Sequence, residues 1–148
     1  MVKIGIAGAS GYTGLELIRL LVNHPEAELS VVTSENFQGQ KIAEVFPALN
    51  GIVDMELRPL KENIAKDCEV LFLALPHTTA MNKLPDYLQA DCKIIDLSAD
   101  YRLNDPQAYQ DWYYITHSHP EFLKQAIYGM PELHREAIRS AKFVANPG

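Results

Sequence analysis

Three glycines near the amino end of the chain have the spacing of a phosphate-binding turn. They stand three residues apart in GASGYTG, between a short β-branched run and a run of helical periodicity. Small residues at this point let backbone N–H groups approach a pyrophosphate, where the helix dipole favours negative charge. The spacing is G-x-x-G-x-x-G, and a tight turn without a ligand is the alternative; the position between strand and helix favours the ligand. We therefore predict a dinucleotide site formed by Gly8, Ser10, Gly11, Tyr12, Thr13 and Gly14.

The end of the second predicted strand bears on which dinucleotide is bound. An NAD site usually carries an Asp or Glu here, about 20 residues after the glycines, to bind the ribose hydroxyls. In VVTSEN the hydroxyls of Thr33 and Ser34 come first, and Glu35 follows. A hydroxyl can donate to a 2′-phosphate, whereas a carboxylate would repel it. We therefore expect NADP, with Ser34 among the residues that contact the cofactor. NAD is the alternative, because Glu35 could be the acidic residue that binds its ribose.

Alternating apolar runs define the elements that must position these residues. VLFLAL and KIIDL are apolar on consecutive positions, as expected of strands covered on both faces. The predicted strands are 2–7, 28–33, 55–60, 69–75, 93–97 and 142–146, and the predicted helices are 13–24, 41–46, 61–66, 79–89 and 134–141. We interpret 104–132 as an irregular aromatic excursion packed on the sheet. The predicted class is α/β, Rossmann-like, with a mostly parallel sheet and helices on both faces.

The composition of the chain limits the kinds of partner that it can bind. The chain has 148 residues, 47% of them hydrophobic, which suits one domain with a real core. A formal net charge of -6 without a basic run argues against nucleic acid. The apolar stretches are far shorter than the roughly 18 residues of a membrane span, and the amino end makes a poor signal peptide. The two cysteines lie far apart in the sequence and give neither a disulfide framework nor a zinc spacing, so we expect no metal and a cytoplasmic location.

Five motifs together resemble a known family. In order along the chain they are GASGYTG, FLALPHTTAM, IIDLSADYRLNDP, YGMPELHREAI and FVANPG. They are similar to the amino-terminal half of the N-acetyl-γ-glutamyl-phosphate reductase family, within the semialdehyde dehydrogenase superfamily. The resemblance covers the whole chain, and DLSADYRL with YGMPEL is more specific than the glycine turn.

The resemblance implies an activity. The family uses NADPH to reduce an acyl phosphate, N-acetyl-γ-glutamyl phosphate, through a cysteine thioester to the semialdehyde and phosphate in arginine biosynthesis. It implies that residues 1–148 form one NADP-binding domain and that the second domain, for substrate and dimerisation, lies outside this chain. The complete enzyme would be a homo-oligomer acting on a small molecule. The alternatives are a stand-alone dinucleotide-binding sensor or scaffold, and aspartate-semialdehyde dehydrogenase.

Further site residues follow from the resemblance and from the rule that ligands bind at the carboxyl ends of parallel strands. Leu75, Pro76 and His77 match the family's cofactor loop, although His77 suits capping or packing as well as chemistry. Ser98 and Ala99 match the residues at the nicotinamide end. We expect Arg102 to hold the substrate's phosphate, since a guanidinium suits a bidentate oxyanion; a surface ion pair with Asp100 or Asp105 is the alternative. Asp96, inside its strand, is interpreted as a buried hydrogen-bonded residue.

The family's nucleophile is not expected within the sequence. Cys68 and Cys92 precede their strands, so they should lie at the opposite end of the sheet and are interpreted as small, semi-buried residues. The resemblance places the nucleophilic cysteine directly after Gly148, at the end of the strand FVAN. We therefore expect the chain alone to bind the cofactor without turning over. The motif SADYR favours the enzyme over the sensor, because a sensor needs no anion clamp.

Overall fold

The protein folds as a six-stranded parallel sheet with helices packed on its faces. The computed structural model describes residues 1–60 and 62–148. The strands run in the order β2-β1-β3-β4-β6-β5, and every pair is parallel. The predicted α/β, Rossmann-like class is confirmed.

The elements have the following bounds. The strands are β1 Val2–Ala7, β2 Ala27–Val32, β3 Val70–Leu73, β4 Lys93–Asp96, β5 Ile127–Tyr128 and β6 Phe143–Ala145. The α-helices are α1 Tyr12–Leu21, α2 Ile42–Val45, α3 Thr79–Tyr87, α4 Pro106–Tyr113 and α5 Pro131–Ser140. Single 3-10 turns occupy Pro47–Leu49, Glu62–Lys66 and Pro120–Gln125.

Two apolar clusters cover the two faces of the sheet. One contains Ile18 of α1 with Ile6 and Val32 of the neighbouring strands, all fully buried. The other packs α3 against the centre of the sheet, where Leu84 meets Leu71. Alternate residues of a strand point to opposite faces, so β1 and β2 supply both clusters: Ile6 and Val32 lie in the first, and Ala7 and Val31 lie in the second.

The sheet order sets the position of the ligand crevice. The chain passes from β1 outward to β2 and then returns to the other side of β1 to form β3. The connections therefore diverge between β1 and β3, and ligands of open α/β sheets bind at such a point outside the carboxyl ends of the strands. The glycine turn follows β1 and therefore lies at this point.

One predicted strand is wrong. Residues 55–60 form only isolated bridges, parallel between Thr33 and Arg58 and antiparallel between Lys41 and Glu56. The Arg58 N–H donates to the Val32 carbonyl, and the Arg58 carbonyl accepts from Ser34 N–H. Pro59 then has no N–H with which to extend the ladder.

The segment 104–132 is more regular than predicted. Asp105 caps α4, because its carboxylate accepts from the backbone N–H of Gln107 at 2.9 Å, and Pro106 occupies the first helical position. Later in the segment, β5 forms the edge of the sheet by pairing with β6. The predicted strand FVAN is confirmed as β6, which lies between β4 and β5. The predicted helix 61–66 is a 3-10 turn over Glu62–Lys66, and Lys61 lies outside the described residues.

Within residues 1–60 and 62–148, no helix is both long and apolar enough to span a bilayer.

Candidate functional site

The glycine turn is shaped by contacts that exclude side chains at two of its three glycines. Gly8 has φ of +83°, and a Cβ there would collide with the carbonyl oxygen of Ala74 after β3. A Cβ at Gly14 would lie 2.6 Å from Cα of Ala9, so this glycine allows α1 to pack tightly on the turn. The first residues of the helix are thereby held against the end of β3.

The middle glycine, Gly11, has open space around it. Gly11 is the N-cap of α1, and the nearest neighbour of a Cβ built there is the Gly8 carbonyl oxygen at 3.7 Å. No side chain caps this ten-residue helix, so its first-turn N–H groups have no side-chain acceptor. Such a turn can hold a phosphate against the positive end of the helix dipole. Tyr12 in the same turn is 92% exposed and points to solvent rather than into the crevice.

A cleft of about 580 Å³ opens in front of the glycine turn. This volume is in the range typical of small-molecule and cofactor sites. Seven residues predicted from the sequence line it: Gly8, Ser10, Gly11, Thr13, Ser34, Leu75 and Pro76. The lining residues that were not assigned to the site are Glu35, Asn36, Phe37, Leu60, Ala74, Thr79 and Leu97. Five of them lie in the segments that follow β2, β3 and β4: Glu35, Asn36, Phe37, Ala74 and Leu97.

The end of β2 is tied to the glycine turn by hydroxyl groups. The hydroxyl oxygens of Ser10 and Ser34 are 2.7 Å apart, and Ser34 Oγ also accepts from the backbone N–H of Phe37 at 3.2 Å. Glu35 is engaged differently, because its carboxylate accepts from the backbone N–H of Leu60 at 2.9 Å. Ser34 therefore joins the two sides of the cleft, whereas one oxygen of Glu35 is committed to the backbone.

A buried carboxylate that the sequence argument did not assign to the site organises the loop after β3. Asp100 is fully buried and accepts from the N–H groups of Thr78 at 3.0 Å and Met81 at 2.8 Å. The hydroxyl of Tyr109 donates to the same carboxylate at 2.8 Å. Thr78 is the N-cap of α3 and has φ of +68°, a conformation that costs free energy for a residue with a β-branched side chain. The Asp100 carboxylate thus takes the place of a side-chain cap at the start of α3. It also fixes the backbone that leads to Thr79 in the cleft wall.

The serine after β4 links the Asp96 carboxylate to the backbone of Asp100. Ser98 donates from its backbone N–H and its hydroxyl to the carboxylate of Asp96, each at 2.9 Å, and its hydroxyl accepts from Asp100 N–H at 3.1 Å. Burial raises the pKa of Asp96 to about 6, and the hydrogen bonds from Ser98 oppose that rise. The interpretation of Asp96 as a buried, hydrogen-bonded residue is confirmed. Leu97 lines the cleft at this strand end, while Ser98 is buried behind it and Ala99 is half-buried.

Arg102 joins the loop after β4 to the turn after β6. Its Nε donates to the carbonyl of Asn146 at 2.9 Å, and Nη2 donates to the carbonyl of Ser98 at 3.2 Å. Its Nη1 lies beside Gly148. Across the part of the chain that the structure describes, Arg102 takes part in no ion pair, so the alternative of a surface pair with Asp100 or Asp105 is wrong. The guanidinium is positioned by backbone carbonyls at the carboxyl end of the sheet.

Two histidines of the sequence lie apart from the cleft wall. His77, predicted to contact the cofactor, is exposed on the loop before α3. His117 is buried, and its Nε2 lies 2.9 Å from the carbonyl oxygen of Asp100, with Nδ1 facing the backbone N–H of His119 at 3.1 Å. These contacts place the ring proton on Nε2, where it donates to Asp100, and burial lowers the pKa of His117. His117 therefore supports the Asp100 loop as a neutral ring.

Both cysteines lie at the other end of the sheet. Cys68 and Cys92 precede β3 and β4, and both are buried. Their predicted position is confirmed, and neither lines the cleft.

The connections of this parallel sheet diverge between two strands, and a glycine turn and an uncapped helix lie at that divergence. This combination defines a dinucleotide-binding domain. Residues 3–141 match the model of the family described as semialdehyde dehydrogenase, NAD binding domain. The chain belongs to this family.

Curated relatives support the resemblance drawn from the motifs. The chain is 50% identical over 149 residues to the N-acetyl-gamma-glutamyl-phosphate reductase of Syntrophobacter fumaroxidans, covering 100% of this chain and 43% of that protein. It is 49% identical over 148 residues to the protein of the same name from Janthinobacterium sp. strain Marseille, with 100% and 43% covered. The chain therefore spans about two fifths of the length of these relatives.

Solved structures show the same fold at low sequence identity. Aspartate semialdehyde dehydrogenase II from Vibrio cholerae, complexed with ASA, superposes with a TM-score of 0.70 at 18% identity, covering 100% of this chain and 42% of that one. Aspartate semialdehyde dehydrogenase with NADP from Candida albicans gives a TM-score of 0.63 at 18% identity, with 99% and 42% covered. These likenesses establish the fold.

Proposed function

We propose that this chain is the cofactor-binding part of an NADPH-dependent reductase that converts N-acetyl-γ-glutamyl phosphate to N-acetyl-glutamate semialdehyde and phosphate. The observation that carries the proposal is the cleft at the carboxyl ends of β1, β2 and β3, in a chain 50% identical to a reductase of that name. The complete protein would act in arginine biosynthesis, in the cytoplasm and as a homo-oligomer.

The residues of the cleft fit a dinucleotide. The open face of Gly11 and the uncapped first turn of α1 suit a pyrophosphate, held by the backbone N–H groups of Tyr12, Thr13 and Gly14. Leu75 and Pro76 offer an apolar wall opposite the turn. When bound there, the nicotinamide cofactor would supply the hydride for reduction of the acyl group. The chain's own residues hold the dinucleotide and align it with the substrate.

The hydroxyl groups at the end of β2 favour NADPH over NADH. Ser10 and Ser34 place two hydroxyls where β2 meets the cleft, and the side-chain amide of Asn36 lies nearby in the lining. Such groups donate to a 2′-phosphate without repelling it. Glu35 also lines the cleft, but one of its oxygens accepts from Leu60 N–H, which holds the carboxylate against the loop. A carboxylate committed in this way competes poorly for ribose hydroxyls.

Arg102 would hold the substrate's phosphate near the carboxyl end of β6. Two backbone carbonyls orient its guanidinium, and Nη1 stays on the side of Gly148. A fixed guanidinium is suited to an oxyanion because its planar fork can make two parallel hydrogen bonds. The cleft itself contains no thiol, because Cys68 and Cys92 lie at the far end of the sheet. The 148-residue chain would therefore bind the cofactor without catalysing the reaction.

Aspartate-semialdehyde dehydrogenase is the competing activity, since it shares the fold. Sequence similarity favours the acetylated substrate, at 50% identity against 18% for the aspartate enzymes. The discriminating experiment measures phosphate-dependent reduction of NADP⁺ by the complete protein, with N-acetyl-glutamate semialdehyde or aspartate semialdehyde as substrate. We expect turnover of the acetylated aldehyde. Preference for aspartate semialdehyde would overturn the substrate assignment, and equal failure of both would overturn the reductase assignment.

A further inference from the structure

Two cysteines that are distant in the sequence lie side by side in the fold. The sulfur atoms of Cys68 and Cys92 are 3.7 Å apart, and the side chains are 6% and 3% exposed. The spacing of the two residues in the sequence gave no indication of a pair. They meet because each one lies within two residues of the start of a strand, and those strands, β3 and β4, are neighbours.

The surroundings hold the two thiols in register. The backbone N–H of Lys93 donates to the carbonyl of Glu69 at 2.9 Å, which fastens the two approach segments together next to the cysteines. Gly5 of β1 leaves the space that Cys68 occupies, since a Cβ at Gly5 would lie 2.8 Å from the Cys68 sulfur. The backbone pairing and the missing side chain therefore keep Cys68 directed at Cys92.

The two cysteines have different neighbours at this end of the sheet. A groove of about 640 Å³ at this end of the sheet is lined by Cys92, together with Lys93 and Lys142. Cys68 is not part of that lining within the described residues, and lies behind Cys92 against Ile64. Both cysteines are almost fully buried, so the groove gives a small solute an approach on the Cys92 side without free access to either sulfur.

The two thiols also differ in acidity. A hydrogen bond from the Cys68 thiol lowers the pKa of Cys92, and a backbone N–H of Leu71 and the charge of Lys142 act in the same direction. The pKa of Cys68 is raised, first by that same hydrogen bond and then by burial. The thiolate, which is the reactive form, is therefore favoured at Cys92.

We propose that Cys92 and Cys68 form a redox-active dithiol site that hydroperoxides oxidise to a disulfide. The Cys92 sulfur attacks one peroxide oxygen, the O–O bond breaks, and a sulfenic acid forms with release of water when hydrogen peroxide is the oxidant. The Cys68 sulfur then attacks the Cys92 sulfur, the S–O bond breaks, and a second water leaves with the Cys68 proton. Two sulfurs are oxidised and one peroxide is reduced to two waters. The sulfurs must approach from 3.7 Å to about 2.05 Å for this bond.

Peptide mapping of the protein tests this site. The folded protein is treated with an equimolar amount of hydrogen peroxide, quenched, unfolded, alkylated and digested, and the peptides are identified by mass spectrometry. We expect a peptide pair linked through Cys68 and Cys92, absent after treatment with dithiothreitol. The same treatment of urea-unfolded protein should give a much lower yield of that pair, because the strands no longer hold the thiols together.

Single variants separate the roles of the two sulfurs. Cys68→Ser should stop the reaction at a sulfenic acid on Cys92, which dimedone traps, and Cys92→Ser should leave Cys68 as a thiol. Full alkylation of both cysteines in the peroxide-treated wild type, at doses up to a tenfold excess, would overturn the proposal. A linked pair that forms as readily in the unfolded chain would do the same. The wild-type map decides the question even where a variant does not fold.

Discussion

Replacing Asp100 with asparagine tests whether one buried carboxylate fixes the loop that leads into the cleft. The carboxylate accepts from Thr78 N–H and Tyr109 O–H on one oxygen and from Met81 N–H on the other. Asparagine can keep an oxygen toward Thr78 and Tyr109, but its NH2 group then faces the Met81 N–H. One hydrogen bond to a charged acceptor is lost, and a buried donor is left without a partner.

The cost follows from these two losses. A hydrogen bond to a charged group contributes about 1.5–3 kcal/mol and an unsatisfied buried donor costs about 1–3 kcal/mol, so we expect a combined destabilisation of about 2.5–6 kcal/mol. Urea unfolding followed by circular dichroism measures this difference. The matched control is Asp105→Asn, the same change at the exposed cap of α4, where asparagine caps as well as aspartate and we expect a change within about 0.5 kcal/mol.

Two outcomes would refute this account of the loop. The first is a loss for Asp100→Asn no larger than the loss for the Asp105 control. The second is full additivity of Asp100→Ala with Tyr109→Phe, because residues that share a hydrogen bond should show a coupling energy in a double-mutant cycle.

Three further predictions concern the glycine turn, the end of β4 and the guanidinium. Gly8→Ala should destabilise the fold by about 2 kcal/mol or more and should weaken dinucleotide binding. Alanine is strained at φ of +83°, and its Cβ would collide with the Ala74 carbonyl oxygen. Urea unfolding measures the loss of stability, and calorimetric titration measures the loss of binding. Asp96 has a folded pKa of about 6, above its ordinary value, so the folded state binds the extra proton and stability falls as pH rises from about 4 to about 6. Asp96→Asn should flatten that fall by on the order of 2 kcal/mol in urea titrations across this pH range. Arg102→Lys in the complete protein should lower kcat/KM for the acyl phosphate by about tenfold or more, while the Kd for NADPH changes less than about twofold. The reason is that lysine keeps the positive charge and loses the planar fork of the guanidinium.

Each of these has a contrary result. Unchanged stability of Gly8→Ala would show that the turn relaxes freely away from β3. Equal pH dependence in wild type and Asp96→Asn would remove Asp96 as the source of the slope. An Arg102→Lys enzyme with unaltered kcat/KM would leave Arg102 as a bridge between backbone carbonyls only.

The sequence predicted the parts of the fold that local pattern determines. The apolar runs of β3 and β4 form neighbouring parallel strands whose alternate residues are fully buried, and glycines at 8 and 14 are required by backbone contacts that the turn motif anticipates. The family relationship was also within reach, because several motifs agree in order and spacing. These features depend on residues that lie close together in the chain.

Features that depend on distant residues were missed. Residues 55–60 have the pattern of a strand, but only one parallel bridge to Thr33 forms before Pro59 ends the pairing. The capping of α3 by Asp100 joins residues 22 positions apart through the side chain of a different loop. The signal for α4 was present in Asp105-Pro106, a cap followed by proline at the first helical position, and was masked by the aromatic composition of the segment.

The approach of Cys68 to Cys92 likewise follows from the neighbouring positions of β3 and β4. No spacing rule in the sequence contains that information, because the order of strands in a sheet is a property of the whole chain.

Calorimetric titration of the protein with NADPH and NADH tests the central claim, that the cleft before the glycine turn binds NADPH. We expect NADPH to bind at least about tenfold more tightly than NADH, a difference of about 1.4 kcal/mol. Ser34→Ala should reduce that preference to less than about threefold. Ser30→Ala, within β2 and bonded to the Ile4 carbonyl away from the cleft, should leave it unchanged. The NADPH assignment would be contradicted by equal affinities for the two cofactors, or by a preference for NADH that Glu35→Gln abolishes. Absence of binding heat with either cofactor would contradict the assignment of the cleft as a dinucleotide site.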